Sequence, residues 1–283
     1  VSGPRIRPVP ISDSPNHFCR FRAHQAIRVP RPPFAWDFCS PDFGLLRASP
    51  RCDADRLQRV DVAEAMNLPK VVLHDHLDGG LRPATVLELA AQRGRPVPAQ
   101  TPEDLATWFF ESADSGSLAR YLDTFTETVG LMQDADSLRR IAREFVVDMA
   151  TDGVIYAEAR WAPQQHLTGG LSAAAATEAV QAGLVDGMES ASRSGATIIA
   201  RQILCLMRHL DVPEDVVDLA VNHAPGVVGV DIAGPEDGFP LTPFTNALTR
   251  IQAAGIHLTV HAGEAAGPES VLDALNHGAE RLG

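Results

Sequence analysis

The stretch Val71-Val72-Leu73-His74-Asp75-His76-Leu77-Asp78-Gly79-Gly80 decides the fold class of this chain. A short apolar run before two glycines predicts a strand that ends in a loop, because glycine adopts backbone angles closed to other residues. Successive side chains of a strand point to opposite faces, so His74 and His76 are expected on one face about 7 Å apart. Two neutral imidazoles on one face can share a metal ion. We therefore predict that this strand leads into an active-site loop.

Helical and apolar segments alternate through the rest of the chain. Further strands are predicted at 154–161, 197–207, 227–233 and 256–261, and helices at 82–92, 102–132, 135–152, 172–194, 213–223, 243–254 and 268–277. Strands separated by helices form right-handed βαβ units and hence a parallel sheet. The predicted fold class is α/β, an incomplete (β/α)8 barrel of the TIM type with about five to six of its eight strands. Closing such a barrel would take roughly 60 to 100 more residues.

Composition argues against several classes of function. The formal net charge of −12 argues against nucleic acid or an anionic membrane surface as the main partner. No apolar run of 18 residues occurs, and the start of the sequence lacks the basic-then-apolar pattern of a signal peptide. The four cysteines form no Cys-x-x-Cys pair, which is typical of free thiols in a reducing compartment. We therefore expect a cytoplasmic protein.

The first 60 residues differ from the remainder in amino-acid composition and in hydrophobic pattern. Residues 1–60 hold nine of the 21 prolines, ten arginines, no lysine and five acids, and no helical or alternating pattern persists there. We predict that this segment is a disordered or non-native N-terminal extension. Residues 61–283 would then form the N-terminal portion of the barrel domain. A basic tail that binds a partner is the alternative for residues 1–60.

Three predicted strand ends carry chemically useful side chains. The first gives His74 and His76, the fourth gives the segment 231–236 (Asp-Ile-Ala-Gly-Pro-Glu), and the fifth gives the segment 261–264 (His-Ala-Gly-Glu). Catalytic groups of a parallel α/β barrel lie at the carboxyl ends of its strands. A catalytic zinc ion takes about three protein ligands and a water molecule. The histidines of the first and fifth strand ends can supply these ligands.

Two further predictions concern side chains around this site. Glu264, three residues beyond His261, is a candidate general acid and base that faces the substrate without binding the metal. Leu105, Trp108 and Phe109 follow the first strand's loop and are candidates for a pocket wall. Arg160 lies inside the second strand, and a structural ion pair is expected for it.

The residues carry a family resemblance. The segments 68–80, 227–234 (Val-Val-Gly-Val-Asp-Ile-Ala-Gly) and 259–264 (Thr-Val-His-Ala-Gly-Glu) together resemble the adenosine deaminase family of metal-dependent hydrolases. The match covers about residues 61–283, and the fragments Met207-Arg208-His209 and Glu280-Arg281-Leu282-Gly283 add to it. The resemblance implies a barrel of the metal-dependent hydrolase type.

The resemblance also implies a reaction and a set of roles. His74, His76 and His261 would bind one Zn²⁺ per complete active site, and Glu264 would protonate the purine ring nitrogen beside the carbon under attack. Asp78 would contact the ribose, and Gly234 the purine through its backbone. The implied reaction is hydrolytic deamination of adenosine and 2′-deoxyadenosine to inosine and 2′-deoxyinosine plus ammonia, a step of purine salvage. The implied partner is a small purine nucleoside, with no nucleic acid or membrane, and the oligomeric state stays open.

The sequence departs from the family pattern at one end. After Arg-Leu-Gly the family has a histidine and, further on, an Asp-Asp pair, and both positions lie beyond Gly283. We therefore expect a fragment of a longer enzyme or a truncated gene model. Two alternatives remain open: a related deaminase of adenine or another adenine-containing compound such as a modified futalosine, and an inactive metal-binding fragment.

Overall fold

Six strands form one parallel sheet in residues 68–213 and 215–283, the part of the chain that the computed structural model describes. The strands are β1 (Lys70–His76), β2 (Val154–Trp161), β3 (Ile199–Met207), β4 (Val227–Ala233), β5 (His257–Val260) and β6 (Arg281–Leu282). Each strand pairs with the next one along the chain, in the order β1-β2-β3-β4-β5-β6. This confirms the predicted incomplete α/β barrel. The predicted N-terminal extension lies outside the described residues.

Helices connect the strands. They are α1 (Pro83–Arg93), α2 (Pro102–Ala113), α3 (Leu118–Val129), α4 (Ala135–Thr151), α5 (Ala173–Arg193), α6 (Val216–Asn222), α7 (Thr245–Ala253) and α8 (Pro268–Asn276), with 3₁₀ turns at Pro163–His166 and Thr242–Phe244. Four of them begin at a side chain that accepts a backbone N–H three residues further on, and these caps are Thr101, Ser117, Asp134 and Ser172. Each cap satisfies a donor that has no partner inside its helix.

The predicted helical stretch 102–132 is wrong as one continuous helix. It is divided into α2 and α3 by the segment 114–117 (Asp-Ser-Gly-Ser), in which Gly116 has a φ of +70°. Asp and Ser side chains compete for backbone hydrogen bonds, and a left-handed glycine ends a helical path. Apolar periodicity on both sides of the break concealed it, because both helices bury one face.

Strong curvature of the sheet follows from contacts between strands that are not neighbours. In a flat sheet β1 and β5 would lie about 19 Å apart, four spacings of about 4.8 Å. The ring nitrogens of His74 in β1 and His261 after β5 are nevertheless 3.0 Å apart. Arg281 of β6 likewise donates to Glu158 of β2 at 2.7 Å. The sheet therefore curls into a partial barrel, in which the carboxyl ends of β1 and β5 lie close together.

The hydrophobic core lies between the strands and the surrounding helices. Val230 and Ile232 of β4 and Leu138 of α4 have no exposed surface. Among the described residues, β1 and β6 each pair on one side only, and the nearby Val71 and Leu272 are exposed. In the same residues, no helix combines the length and apolar character that crossing a membrane requires.

Candidate metal centre

Three imidazoles converge at the carboxyl ends of β1 and β5. The Nε2 atoms of His74 and His76 are 3.3 Å apart, and those of His74 and His261 and of His76 and His261 are 3.0 and 3.2 Å apart. Ligand nitrogens at about 2.0–2.1 Å from a tetrahedral zinc ion are separated by about 3.3–3.4 Å. The three side chains therefore have the chemistry and the spacing to hold one such ion.

An irregularity in β1 helps to aim these histidines. Val72 pairs with Ala157, but the next pair joins Asp75 to Ala159, so β1 has one more residue than β2 between these points. Such a bulge turns side chains out of the regular alternation and is common beside active sites. The Arg160 guanidinium donates to the carbonyl oxygen of Leu73 at 2.9 Å and so fixes the backbone where the bulge occurs.

Both histidines of β1 favour the neutral form that binds metal. Desolvation, followed by the positive charge of Arg160, lowers the pKa of His74 to about 3. Burial lowers the pKa of His76 to about 4, against the opposing effect of Asp78. At neutral pH one ring nitrogen of each histidine therefore has a free lone pair, so a metal ion does not have to displace a proton from it.

Asp231 orients the third histidine. Its carboxylate lies 3.0 and 3.1 Å from Nδ1 of His261 and accepts a hydrogen bond from Arg160 at 2.7 Å. Burial would raise the pKa of Asp231, but His261 and Arg160 outweigh burial and lower it. A carboxylate that accepts from Nδ1–H leaves Nε2 free for a metal ion and raises its basicity. The ion pair expected for Arg160 is thus present, and it is connected to the candidate ligands.

Glu264 lies beside the cluster on the loop that follows β5. Its side chain is exposed, and the preceding Gly263 has a φ of +85°. Arg208 donates to the carbonyl oxygen of His261 at 2.8 Å, where this loop begins. A carboxylate from the β4 end, Glu236, binds the backbone of the same loop. Glu264 is therefore an accessible acid on a loop held from two sides.

The two predicted substrate contacts follow β1 and β4 at the carboxyl ends of these strands. Asp78 is buried, with Oδ1 at 3.9 Å from Nδ1 of His76 and Oδ2 at 3.9 Å from Nε2 of His166. Gly234 directly follows β4 and has a φ of +92°, and a Cβ atom there would lie 3.2 Å from Nδ1 of His209. Asp78 therefore borders the histidine cluster, and Gly234 lies beside His209 after β4. Their contacts with a substrate stay predictions.

The predicted pocket wall lies partly in the core. Leu105 is fully buried, and Trp108 and Phe109 are half-buried with ring centroids 5.1 Å apart. The aromatic ring beside the cluster is that of Phe125 in α3, 5.9 Å from His76 in an edge-to-face arrangement. A pocket-lining role for Trp108 and Phe109 stays a prediction, and Phe125 is the aromatic residue that sequence reasoning did not single out.

Sequence reasoning also assigned no role to Asp231, Glu236 or Arg208. Asp231 and Glu236 lie in the segment 231–236, which was predicted as a strand end that carries chemically useful side chains. One signal was available: an acid inside the apolar strand β4 has to be paired if it is buried. Its partners come from β2 and from the end of β5, and the sequence does not reveal which residues these are.

Solved structures place the fold in a class. An amidohydrolase from Burkholderia ambifaria solved with bound zinc is 30% identical, with a TM-score of 0.66, over 80% of this chain and 62% of that one. The N6-mAMP deaminase of Arabidopsis is 29% identical, with a TM-score of 0.66, over 77% of this chain and 66% of that one. The curled parallel sheet matches these two structures, and it defines the fold of the chain as an incomplete (β/α)8 barrel with a histidine cluster at the carboxyl ends of its strands.

Sequence comparison then gives the family. The family model described as Adenosine deaminase matches residues 69–283. The adenosine deaminase of Mycolicibacterium vanbaalenii is 48% identical over 218 residues, 76% of this chain and 60% of that protein. The chain belongs to the adenosine deaminase family. It spans about 60% of the length of this curated relative.

Proposed function

We propose that the protein catalyses the zinc-dependent hydrolytic deamination of adenosine and 2′-deoxyadenosine, with release of ammonia. The observation that carries the proposal is the convergence of His74, His76 and His261, whose Nε2 atoms lie 3.0–3.3 Å apart beside the loop of Glu264. Relatives named adenosine deaminase, and a structural neighbour solved with zinc, support it. We also propose the cytoplasmic location that the composition of the sequence predicts.

Each residue of the site has a distinct task in this proposal. The three histidines would hold the ion, and bound zinc supplies a strong nucleophile at neutral pH by lowering the pKa of water. Glu264 delivers a proton to the purine ring nitrogen beside the attacked carbon, so that the ring accepts charge as the new bond forms. Asp78 accepts from a ribose hydroxyl group, and the backbone of Gly234 contacts the purine.

The charges around the site favour a nucleoside over a nucleotide. Burial raises the pKa of Tyr121 to about 12, with further contributions from three carboxylates. These carboxylates are Asp75, Asp78 and Glu264. A phosphate group placed among them would meet like charges and would lose its hydration. The three carboxylates therefore support an uncharged substrate, although one structural neighbour is an N6-mAMP deaminase.

A comparison of substrates tests the proposal. The full-length protein with one zinc ion per chain is assayed for ammonia release from adenosine, 2′-deoxyadenosine, adenine and AMP. We expect kcat/KM for the two nucleosides to exceed that for adenine and AMP by at least about 100-fold. Adenine lacks the ribose hydroxyl groups and leaves the buried Asp78 unpaired, and the phosphate of AMP would meet the like charges of the carboxylates. A preference for adenine or AMP would contradict the assigned substrate, and release from none of the four would contradict the activity.

A further inference from the structure

The carboxylate of Glu236 is enclosed by the loop that carries Glu264. Glu236 follows Gly234-Pro235 at the end of β4, and its residue surface is only 6% exposed. Its Oε1 accepts from the backbone N–H of Gly263 at 2.6 Å, and its Oε2 accepts from those of Ala265 and Ala266 at 2.7 and 2.9 Å. Both oxygens are therefore used, and three of four consecutive residues point their N–H groups at one anion.

A fourth hydrogen bond joins this carboxylate to the following helix. The hydroxyl group of Ser270, in the first turn of α8, also donates to Glu236. The residue before α8, Gly267, makes no side-chain cap, so Glu236 adds a negative charge, beside that of Glu269 in the first turn, near a helix start without a side-chain cap. Glu236 thus connects the β4 end, the loop after β5 and the start of α8.

Glu264 is the exposed acid of the loop that Glu236 holds. Gly263 adopts a left-handed conformation, and its neighbours Ala265 and Ala266 have their N–H groups bound to Glu236, while the Glu264 side chain is exposed. Burial would raise the pKa of Glu236, but the hydrogen bonds from Ser270 and the loop outweigh burial and lower it to about 2. The anchoring carboxylate is therefore ionised wherever the protein works near neutral pH.

We propose that Glu236 is a positioning residue that acts through Glu264, by holding the loop 263–266 in the one conformation that presents the Glu264 carboxyl to the substrate. This inference rests on the proposed deamination, in which Glu264 delivers a proton. A loop with unpaired N–H groups adopts other conformations, and a displacement of about 1 Å at a catalytic group can cost about 100-fold in rate.

The variant Glu236→Gln tests the role, because it keeps the shape but replaces one accepting oxygen by an NH₂ group that faces backbone donors. In the full-length zinc protein we expect kcat to fall about 100-fold, KM to change by less than about 3-fold and zinc content to stay unchanged. The control is Glu269→Gln, which removes an exposed acid from the first turn of α8 and should leave kcat unchanged. Equal behaviour of the two variants would overturn the inference.

A double-mutant cycle separates positioning from general structural damage. If Glu236 acts through Glu264, then Glu236→Gln should cost less than about 3-fold when added to Glu264→Gln, because the group it positions is already absent. The same loss in both backgrounds would show that Glu236 acts elsewhere. Ser270→Ala removes one of the four donors to Glu236. It should lower kcat by a smaller factor, with the same non-additivity toward Glu264→Gln, and it replaces Glu236→Gln in the cycle if that variant does not fold.

Amide hydrogen exchange gives a readout that needs no activity. We expect the segment 262–266 to exchange at least about 10-fold faster in Glu236→Gln than in the unmodified protein, with no change in Glu269→Gln. Unchanged exchange would overturn the loop-holding role even if the enzyme is active. An unmodified protein that fails to deaminate adenosine would instead contradict the proposed function, while exchange still decides whether Glu236 holds the loop.

Discussion

Replacing Glu264 by glutamine is expected to lower turnover of adenosine roughly 10²- to 10⁴-fold, the range for loss of a general acid. The amide has nearly the shape of the carboxyl group but no acidic proton to give to the purine ring. Glu264 is exposed on its loop and is not among the three clustered imidazoles, so zinc binding should persist. Turnover should therefore fall while zinc content stays the same in this variant. Both would fall if Glu264 were a metal ligand.

The measurement is kcat for adenosine together with the zinc content of the purified full-length protein. Glu269→Gln is again the matched control, since it removes an exposed acid five residues further along the chain. Turnover of Glu264→Gln within about 3-fold of the control would remove Glu264 from the chemistry. Loss of zinc from Glu264→Gln would assign it to the metal instead.

Replacing Arg160 by methionine is expected to lower the free energy of unfolding by about 3–5 kcal/mol, the cost of removing one partner of a buried ion pair. Arg160 and Asp231 are both almost fully buried, with Nη1 and Oδ2 2.7 Å apart. The substitution leaves the Asp231 charge without its arginine partner and also removes the donor to the carbonyl oxygen of Leu73 at the β1 bulge. The lost contacts therefore lie directly behind the histidine cluster.

Urea unfolding of the metal-free protein measures this effect without a contribution from zinc. Arg139→Met is the control, because it breaks the exposed ion pair with Asp186 and should cost at most about 1 kcal/mol. The double variant Arg160→Met with Asp231→Asn should recover part of the loss, since no uncompensated charge stays buried. A single Arg160 variant no less stable than Arg139→Met would contradict the importance assigned to the buried pair.

Local sequence signals predicted most of the fold. The bounds of β2 and β4 were predicted to the residue, because both strands read as apolar runs that turn-forming segments delimit. The single helix predicted at 102–132 was wrong because the local signal at 114–117 was weaker than the apolar periodicity around it. The bulge in β1 was not predicted, since it depends on the pairing with β2 and on Arg160.

Only those residues of the candidate site could be predicted whose type and spacing in the sequence indicate a metal ligand or a catalytic acid. His74, His76 and His261 were assigned to one cluster because each falls at a strand end, and their Nε2 atoms do converge. The groups that orient them are ordinary acids and arginines in the sequence. Asp231 contacts His261 and Glu236 contacts Ala266, and both partners lie 30 residues further along the chain. No local sequence pattern encodes contacts at this separation.

The need for zinc is measured by the rate of ammonia release from adenosine as zinc is returned to the metal-stripped full-length protein. If the three histidines hold the ion that the reaction needs, the stripped protein is inactive and the rate rises with added zinc to a plateau at one equivalent per chain. A rate that is the same with and without zinc would show that the reaction does not need an ion held by these histidines, and no ammonia at one full equivalent would show that the protein is not a zinc-dependent adenosine deaminase.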